Sequence, residues 1–159
     1  MQLSKNFSLV EMTKSQMAER KGIPNDPSSD HIENLRLLCE RVLQPVRDHF
    51  NHTVSISSGY RSAQLCVALG SSSDSQHASG MAADFEIYGT PNGDVFNWIK
   101  ENLMYDQMIL EFWNKDEPNS GWVHISYNRD QGENIKENLR AYKDEDNYTR
   151  YKPIIGEAW

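Results

Sequence analysis

SQHASGMAAD, residues 75–84, is the most informative segment of this chain, and WVH follows it at residues 122–124. The two segments supply two imidazoles and one carboxylate, from His77, His124 and Asp84. Small residues separate His77 from Asp84, which suits a ligand in a loop followed by a ligand in a strand. His124 lies in a second strand-like run, and adjacent strands would bring the three side chains together. Three such ligands leave a fourth position open for water, as in catalytic zinc sites, so the sequence predicts bound Zn²⁺.

The size and charge of the chain limit its fold and its partners. A chain of 159 residues is long enough for one domain with a proper core and short for two. We predict a single domain over residues 1–159, with a core at about 5–130 and a charged C-terminal extension at 131–159. The net charge of −7 argues against a nucleic-acid binder, which would carry a basic face, and against adhesion to anionic membranes. We expect a monomer.

Cysteine content and hydropathy indicate the cellular compartment in which the protein is made. Cys39 and Cys66 do not form a disulfide scaffold or a metal site, and we expect both to be reduced. Residues 1–7 contain no apolar signal-peptide core, and no run is long enough to span a bilayer. These features predict a protein made in the cytoplasm without a signal peptide and without membrane insertion.

The pattern of apolar residues predicts an α+β fold. Apolar residues recur at helical spacing from Ile32 to Phe50, which indicates one amphipathic helix with a kink at Pro45. We expect helices packed on a small antiparallel sheet whose other side carries the metal. A serine-rich loop at residues 71–76 is expected to face the substrate. The remaining predicted elements are helices at 8–20, 63–69 and 94–102, strands at 53–57, 82–87, 108–112 and 122–127, and a short helix at 135–142.

Four motifs occur in a fixed order along the chain. They are SGYR at 58–61, SxHxxGxAxD at 75–84, ILE at 109–111 and WVH at 122–124. Over roughly residues 5–130 the sequence resembles the zinc D-Ala-D-Ala carboxypeptidase and L-alanyl-D-glutamate endopeptidase family, which includes phage endolysins and shares its core with the hedgehog signalling domain. One such motif is a weak signal, whereas four in order are specific.

The resemblance implies a function and a setting for it. It implies a zinc metallopeptidase that hydrolyses amide bonds in the peptide stems of bacterial peptidoglycan. It also implies a phage-type enzyme of cell-wall degradation, released through a holin or carried in a virion. The sequence does not indicate which stem-peptide bond is cleaved.

Amide hydrolysis at such a site requires a general base. In many relatives a carboxylate lies three residues before the last histidine ligand, but this chain has Gly121 there. We predict Glu111 as the catalytic base, because an otherwise apolar strand rarely carries a carboxylate without a partner or a role. A surface charge on an edge strand is the structural alternative for Glu111. Glu117 and Asp116 are the next candidates for the base.

Three further residues belong to the predicted site. Arg61 resembles the family's arginine beside the zinc, which would hold a substrate carboxylate or stabilise the oxyanion, and we predict it as both catalytic and substrate-binding. A structural salt bridge to Asp84 or Glu86 is the alternative for Arg61. Ser75 is expected to support the His77 loop or the substrate through its hydroxyl. For Trp122 we favour a place in the core over a place in the wall of the site.

Two other classes of function stay open at this point. The first is a catalytically inactive, zinc-containing binding module, which would keep the three ligands but lack a competent base. The departure at Gly121 supports this alternative. The second is a structural virion component whose zinc only stabilises the fold.

Overall fold

The computed structural model describes residues 1–158 as one α+β domain built on a six-stranded sheet. The four strands predicted between residues 53 and 127 are confirmed, with small shifts at their ends. The strand order of the sheet is β3-β4-β6-β5-β7-β8, and β1 and β2 form a separate small sheet. The strands are β1 (Gln2–Ser4), β2 (Phe7–Ser8), β3 (Ser55–Ser58), β4 (Ala82–Glu86), β5 (Gln107–Glu111), β6 (Trp122–Ser126), β7 (Glu137–Lys143) and β8 (Thr149–Pro153).

Residues 1–158 form six α-helices, and the segment predicted as the first helix forms two of them. The hydroxyl of Ser15 accepts a hydrogen bond from the backbone N–H of Ala18 and caps a new helix, so the chain turns where the sequence predicted continuity. The helices are α1 (Leu9–Thr13), α2 (Gln16–Lys21), α3 (Ser29–Leu38), α4 (Gln44–Phe50), α5 (Ala63–Ala68) and α6 (Asn92–Asn102). Among residues 1–158, no helix has the length and apolar character needed to cross a bilayer.

The amphipathic run from Ile32 to Phe50 is interrupted by a π-helical segment, Cys39–Leu43, that joins α3 to α4. Pro45 lies two residues beyond this segment; it has no backbone N–H to donate, and the adjacent wider π turn accommodates that loss. Cys39 faces the core, where burial and then the charges of nearby glutamates raise the pKa of its thiol to about 12. Cys39 and Cys66 are both buried, and neither forms a disulfide within the described residues.

The two faces of the sheet have different surroundings. Phe85, Val123 and Leu110 point to one face and join the core that α3, α4 and α6 cover. Asp84 and His124 are directly paired across β4 and β6, and therefore share the opposite face. Side-chain alternation thus places Asp84 and His124, two of the three predicted ligands, on the face away from the main core.

The predicted helix at residues 135–142 is wrong, because this segment forms β7. It pairs in parallel with β5, and β8 then pairs antiparallel with β7, so the sheet is mostly rather than entirely antiparallel. At the turn between them, the Asp144 side chain accepts hydrogen bonds from the N–H groups of Asp146 and Tyr148. The backbone groups along β5 supply hydrogen-bond partners that a local sequence pattern does not show, and this long-range pairing overrides local preference.

Candidate active site

The three predicted ligands converge on one point. One ligand atom from each of His77, Asp84 and His124 lies within 4.8 Å of the others. Asp84 Oδ1 is 2.8 Å from His124 Nδ1, and Asp84 Oδ2 is 3.4 Å from His77 Nε2. In a tetrahedral zinc site with bonds of about 2.0–2.1 Å, ligand atoms are roughly 3.3 Å apart. The spacing and the donor set of two imidazoles and one carboxylate therefore fit zinc.

His77 is held in orientation by its neighbours. Its Nδ1 lies 2.7 Å from the carbonyl oxygen of Gly59, and the ring hydrogen is assigned to Nδ1 because a carbonyl only accepts. This leaves Nε2 free for a metal, the arrangement in which the partner of the second nitrogen fixes the tautomer. The Ser75 hydroxyl accepts from the backbone N–H of His77 at 3.3 Å and caps the 3-10 turn Gln76–Ser79. Ser75 thus supports the turn that carries the ligand.

The electrostatics of Asp84 suit a metal ligand. Burial alone would raise the pKa of this carboxyl, but the adjacent imidazoles of His124 and His77 outweigh burial and hold the pKa well below its usual range. The group is therefore ionised at neutral pH. Metal ligands must be deprotonated to bind, and Asp84 meets this condition without further change.

All six predicted site residues line one cavity of about 360 Å³. It contains the three predicted ligands together with Arg61, Ser75 and Glu111. The predicted substrate-facing loop also contributes, since Ser71 lies in its wall. The alternative bases Asp116 and Glu117 are exposed and do not line this cavity.

Glu111 has an unusual environment for a carboxylate. Burial, and then the negative charge of Asp84, raise the pKa of Glu111 to about 7, while His124 and Arg61 act in the opposite direction. A general base works best when its pKa lies near the operating pH. Glu111 thus lines the cavity of the predicted ligands and has a pKa near neutral pH.

The backbone around position 121 leaves no room for a side chain. Gly121 has φ of +65°, and a Cβ added there would lie 2.0 Å from the backbone oxygen of Glu111. It would also lie 2.7 Å from the carbonyl carbon of Phe112. A carboxylate at position 121 is therefore incompatible with this arrangement of the strand ends, and Glu111 lines the cavity together with Asp84.

Arg61 lines the cavity beside the predicted ligands, and among the described residues its guanidinium forms no ion pair there. Its backbone N–H donates to the His77 carbonyl oxygen at 3.1 Å, which ties it to the ligand turn. Its side-chain Nε is buried and has no hydrogen-bond partner, and within residues 1–158 Arg61 makes no ion pair with Asp84 or Glu86. The guanidinium is thus available for an anionic group in the cavity.

Two aromatic residues in the wall were missed or misplaced by sequence reasoning. Trp122 lines the cavity and packs its ring 5.4 Å from that of Phe112, so the prediction that it belongs to the core is wrong. Tyr151, on β8, also lines the cavity. It lies outside the four motifs, and no sequence signal connected it to the site.

A comparison with protein families gives a match to the model of peptidase M15 over residues 5–126, which is 122 of the 159 residues. The chain belongs to the peptidase M15 family. No curated protein sequence matches it. Members of this family are zinc-dependent metallopeptidases, which agrees with the donor set at His77, Asp84 and His124.

The matched region of this M15 peptidase includes most, but not all, of the residues that line the cavity. The matched residues include Arg61, the three ligands and Glu111, and they end with β6 at Ser126. Strands β7 and β8 lie beyond the match, yet they extend the same sheet. Tyr151 is therefore a cavity residue contributed from outside the matched region.

Proposed function

We propose that this protein hydrolyses amide bonds in the peptide stems of bacterial peptidoglycan, as a D-Ala-D-Ala carboxypeptidase or an L-alanyl-D-glutamate endopeptidase. One observation carries the proposal: a single cavity holds a His-Asp-His ligand set, a carboxylate whose pKa is near 7 and an arginine with a free guanidinium. Membership in peptidase M15 supports the same substrate class.

The chain's own groups supply the proton transfers. A zinc ion held by His77, Asp84 and His124 would polarise the substrate carbonyl and acidify the attacking water. Glu111 accepts the proton from that water and returns it to the leaving amine, since its pKa allows both transfers near neutral pH. The fixed orientation of His77 on the Gly59 carbonyl keeps the ligand set in place.

Arg61 is proposed to recognise negative charge. Stem peptides carry free carboxylates, and a guanidinium can pair with a carboxylate through two parallel hydrogen bonds. The same group can stabilise the oxyanion that develops on the substrate carbonyl. The buried, unpartnered Nε of Arg61 supports such a role, because a bound anion would satisfy it.

A phage-type setting is part of the proposal. In it, the protein is made in the cytoplasm and reaches the wall after holin-type release or within a virion. This part is supported only by the resemblance of the sequence motifs to phage endolysins. Lysis of intact cells by added protein, compared with lysis of permeabilised cells, tests whether the enzyme needs help to reach the wall.

Digestion of purified peptidoglycan, followed by mass spectrometry of the released stems, tests the activity. The zinc-loaded protein is expected to release stem fragments, and a chelator is expected to stop this until zinc is restored. Glu111→Gln is expected to keep the zinc and the fold but lose hydrolysis, since an amide cannot accept the proton. The matched control is Glu117→Gln, which changes an exposed carboxylate outside the cavity. Zinc binding without hydrolysis by the unmodified protein would instead support an inactive binding module.

A further inference from the structure

A row of paired residues crosses the sheet at one end of the cavity. Trp122 on β6 pairs with Glu111 on β5, Glu111 pairs with Ala141 on β7, and Ala141 pairs with Tyr151 on β8. Directly paired residues project from the same face of a sheet. All four side chains therefore share the face that carries the metal ligands.

Ala141 explains how Tyr151 reaches the site from two strands away. Neighbouring strands are about 4.8 Å apart, so the backbones of Glu111 and Tyr151 are separated by roughly 10 Å. Only a methyl group stands between them, and Ala141 is 1% exposed. The long side chain of Tyr151 can therefore lie over Ala141 toward Glu111, and both residues line the same cavity.

The state of Tyr151 favours contact with a ligand over a role in the core. The residue is 56% exposed, so its ring contributes little to the buried core. Within residues 1–158 its hydroxyl has no hydrogen-bond partner. Partial burial, and then the negative charges of Glu111 and Asp84, raise the pKa of the phenol, which therefore stays protonated and can donate.

We propose that Tyr151 is a substrate-binding residue, whose ring forms a wall for the stem peptide and whose hydroxyl donates to a peptide carbonyl oxygen. This inference rests on the proposed function. Arg61 follows β3 at one side of the sheet and Tyr151 lies on β8 at the other, with the metal ligands on β4 and β6 and in the turn before β4. The peptide would thus be held on both sides of the metal, by Arg61 and by Tyr151.

Steady-state kinetics test the proposal, with a synthetic stem pentapeptide that ends in D-Ala-D-Ala and contains both candidate bonds. Tyr151→Phe removes one hydrogen bond and is expected to raise KM by about 3- to 10-fold, with kcat within about 2-fold of wild type. Tyr151→Ala also removes the ring and is expected to raise KM further. Tyr142→Phe is the matched control, because Tyr142 is in the same hairpin and adjacent to Ala141, on the other face. This control is expected to leave KM unchanged.

Wild-type KM in both Tyr151 variants would overturn the proposal, as would a loss of thermal stability in Tyr151→Phe that accounts for its loss of activity. Calorimetric titration of the same pentapeptide into zinc-loaded Glu111→Gln, with and without Tyr151→Phe, gives a second measurement. Weaker binding in the double variant is expected, and equal binding would refute the role of Tyr151. If the peptide is neither cleaved nor bound, the proposed function fails too. If it is cleaved with normal KM by both Tyr151 variants, only the inference on Tyr151 fails.

Discussion

Replacing Glu111 with glutamine is expected to stabilise the metal-free protein at pH 8, although it removes the proposed catalytic base. The pKa of Glu111 rises from 4.5 to about 7 on folding, chiefly because of burial and then the charge of Asp84. Between these values the folded protein holds a proton that the unfolded chain releases. The free energy of unfolding therefore falls as the pH rises from 4.5 to about 7, and the full cost is present above pH 7.

The magnitude follows from these two pKa values. The unscreened cost of ionising Glu111 is about 3 kcal/mol at pH 8 and about 0.8 kcal/mol at pH 5. The side chain is only partly buried, and solvent screening reduces the expected gain in Glu111→Gln to about 2 kcal/mol at pH 8. With a urea dependence of about 2 kcal/mol per molar, the midpoint of unfolding should rise by about 1 M at pH 8 and by much less at pH 5.

The assay is urea unfolding of chelator-treated protein at both pH values, followed by circular dichroism. Glu117→Gln, at an exposed loop position, serves as the control and should shift the free energy of unfolding by less than about 0.5 kcal/mol. A midpoint shift in Glu111→Gln that is the same at pH 5 and pH 8 would refute the argument. Destabilisation at pH 8 would refute it too, since Glu111 would then be a favourably placed charge.

Three further predictions concern the metal, the arginine and the glycine. The protein is expected to bind about one zinc per chain by elemental analysis, whereas a His77→Ala, His124→Ala double variant should bind none; stoichiometric zinc in that variant would place the metal elsewhere. Arg61→Lys keeps the positive charge but loses the ability to form two parallel hydrogen bonds. A rise mainly in KM would indicate that Arg61 binds a substrate carboxylate, and a fall mainly in kcat would indicate that it stabilises the oxyanion. Unchanged kinetics would mean that Arg61 has a structural role. Gly121→Ala should lower the free energy of unfolding by about 2–4 kcal/mol, because the added Cβ would clash with the backbone of Glu111 and alanine would have to adopt a positive φ. Gly89→Ala, with φ of +87° and open space around it, should cost only about 1–2 kcal/mol, and equal losses at both glycines would rule out the clash.

Most of the elements, and the clustering of His77, Asp84 and His124, could be predicted because local patterns encode them. His77, Asp84 and His124 lie in motifs whose loop and strand placement can be inferred from small residues and alternation. The strand that ends in Glu111 was predicted in the same way, from a carboxylate following an apolar run. For these residues, local sequence and tertiary position agree.

The sequence could not predict features that depend on contacts between distant strands. The role of Gly121 depends on the backbone of Glu111, ten residues earlier, and only the packed strand ends show the conflict. The segment Glu137–Lys143 contains no strong alternation, and its pairing with β5 determines its conformation. Tyr151 reaches the site only through that pairing, so no sequence pattern indicated its position there.

The parallel pairing of β5 with β7 has a consequence for the order in which the protein is completed during synthesis. All three ligands and Glu111 lie within the first 124 residues, whereas residues 137–143 leave the ribosome later. Until then β5 is an edge strand with unpaired backbone groups, a known template for association with other chains. The nascent chain therefore contains a complete ligand set before the aromatic wall from β8 exists. In the order of synthesis, the groups proposed to perform the chemistry precede the residue that we propose holds the substrate.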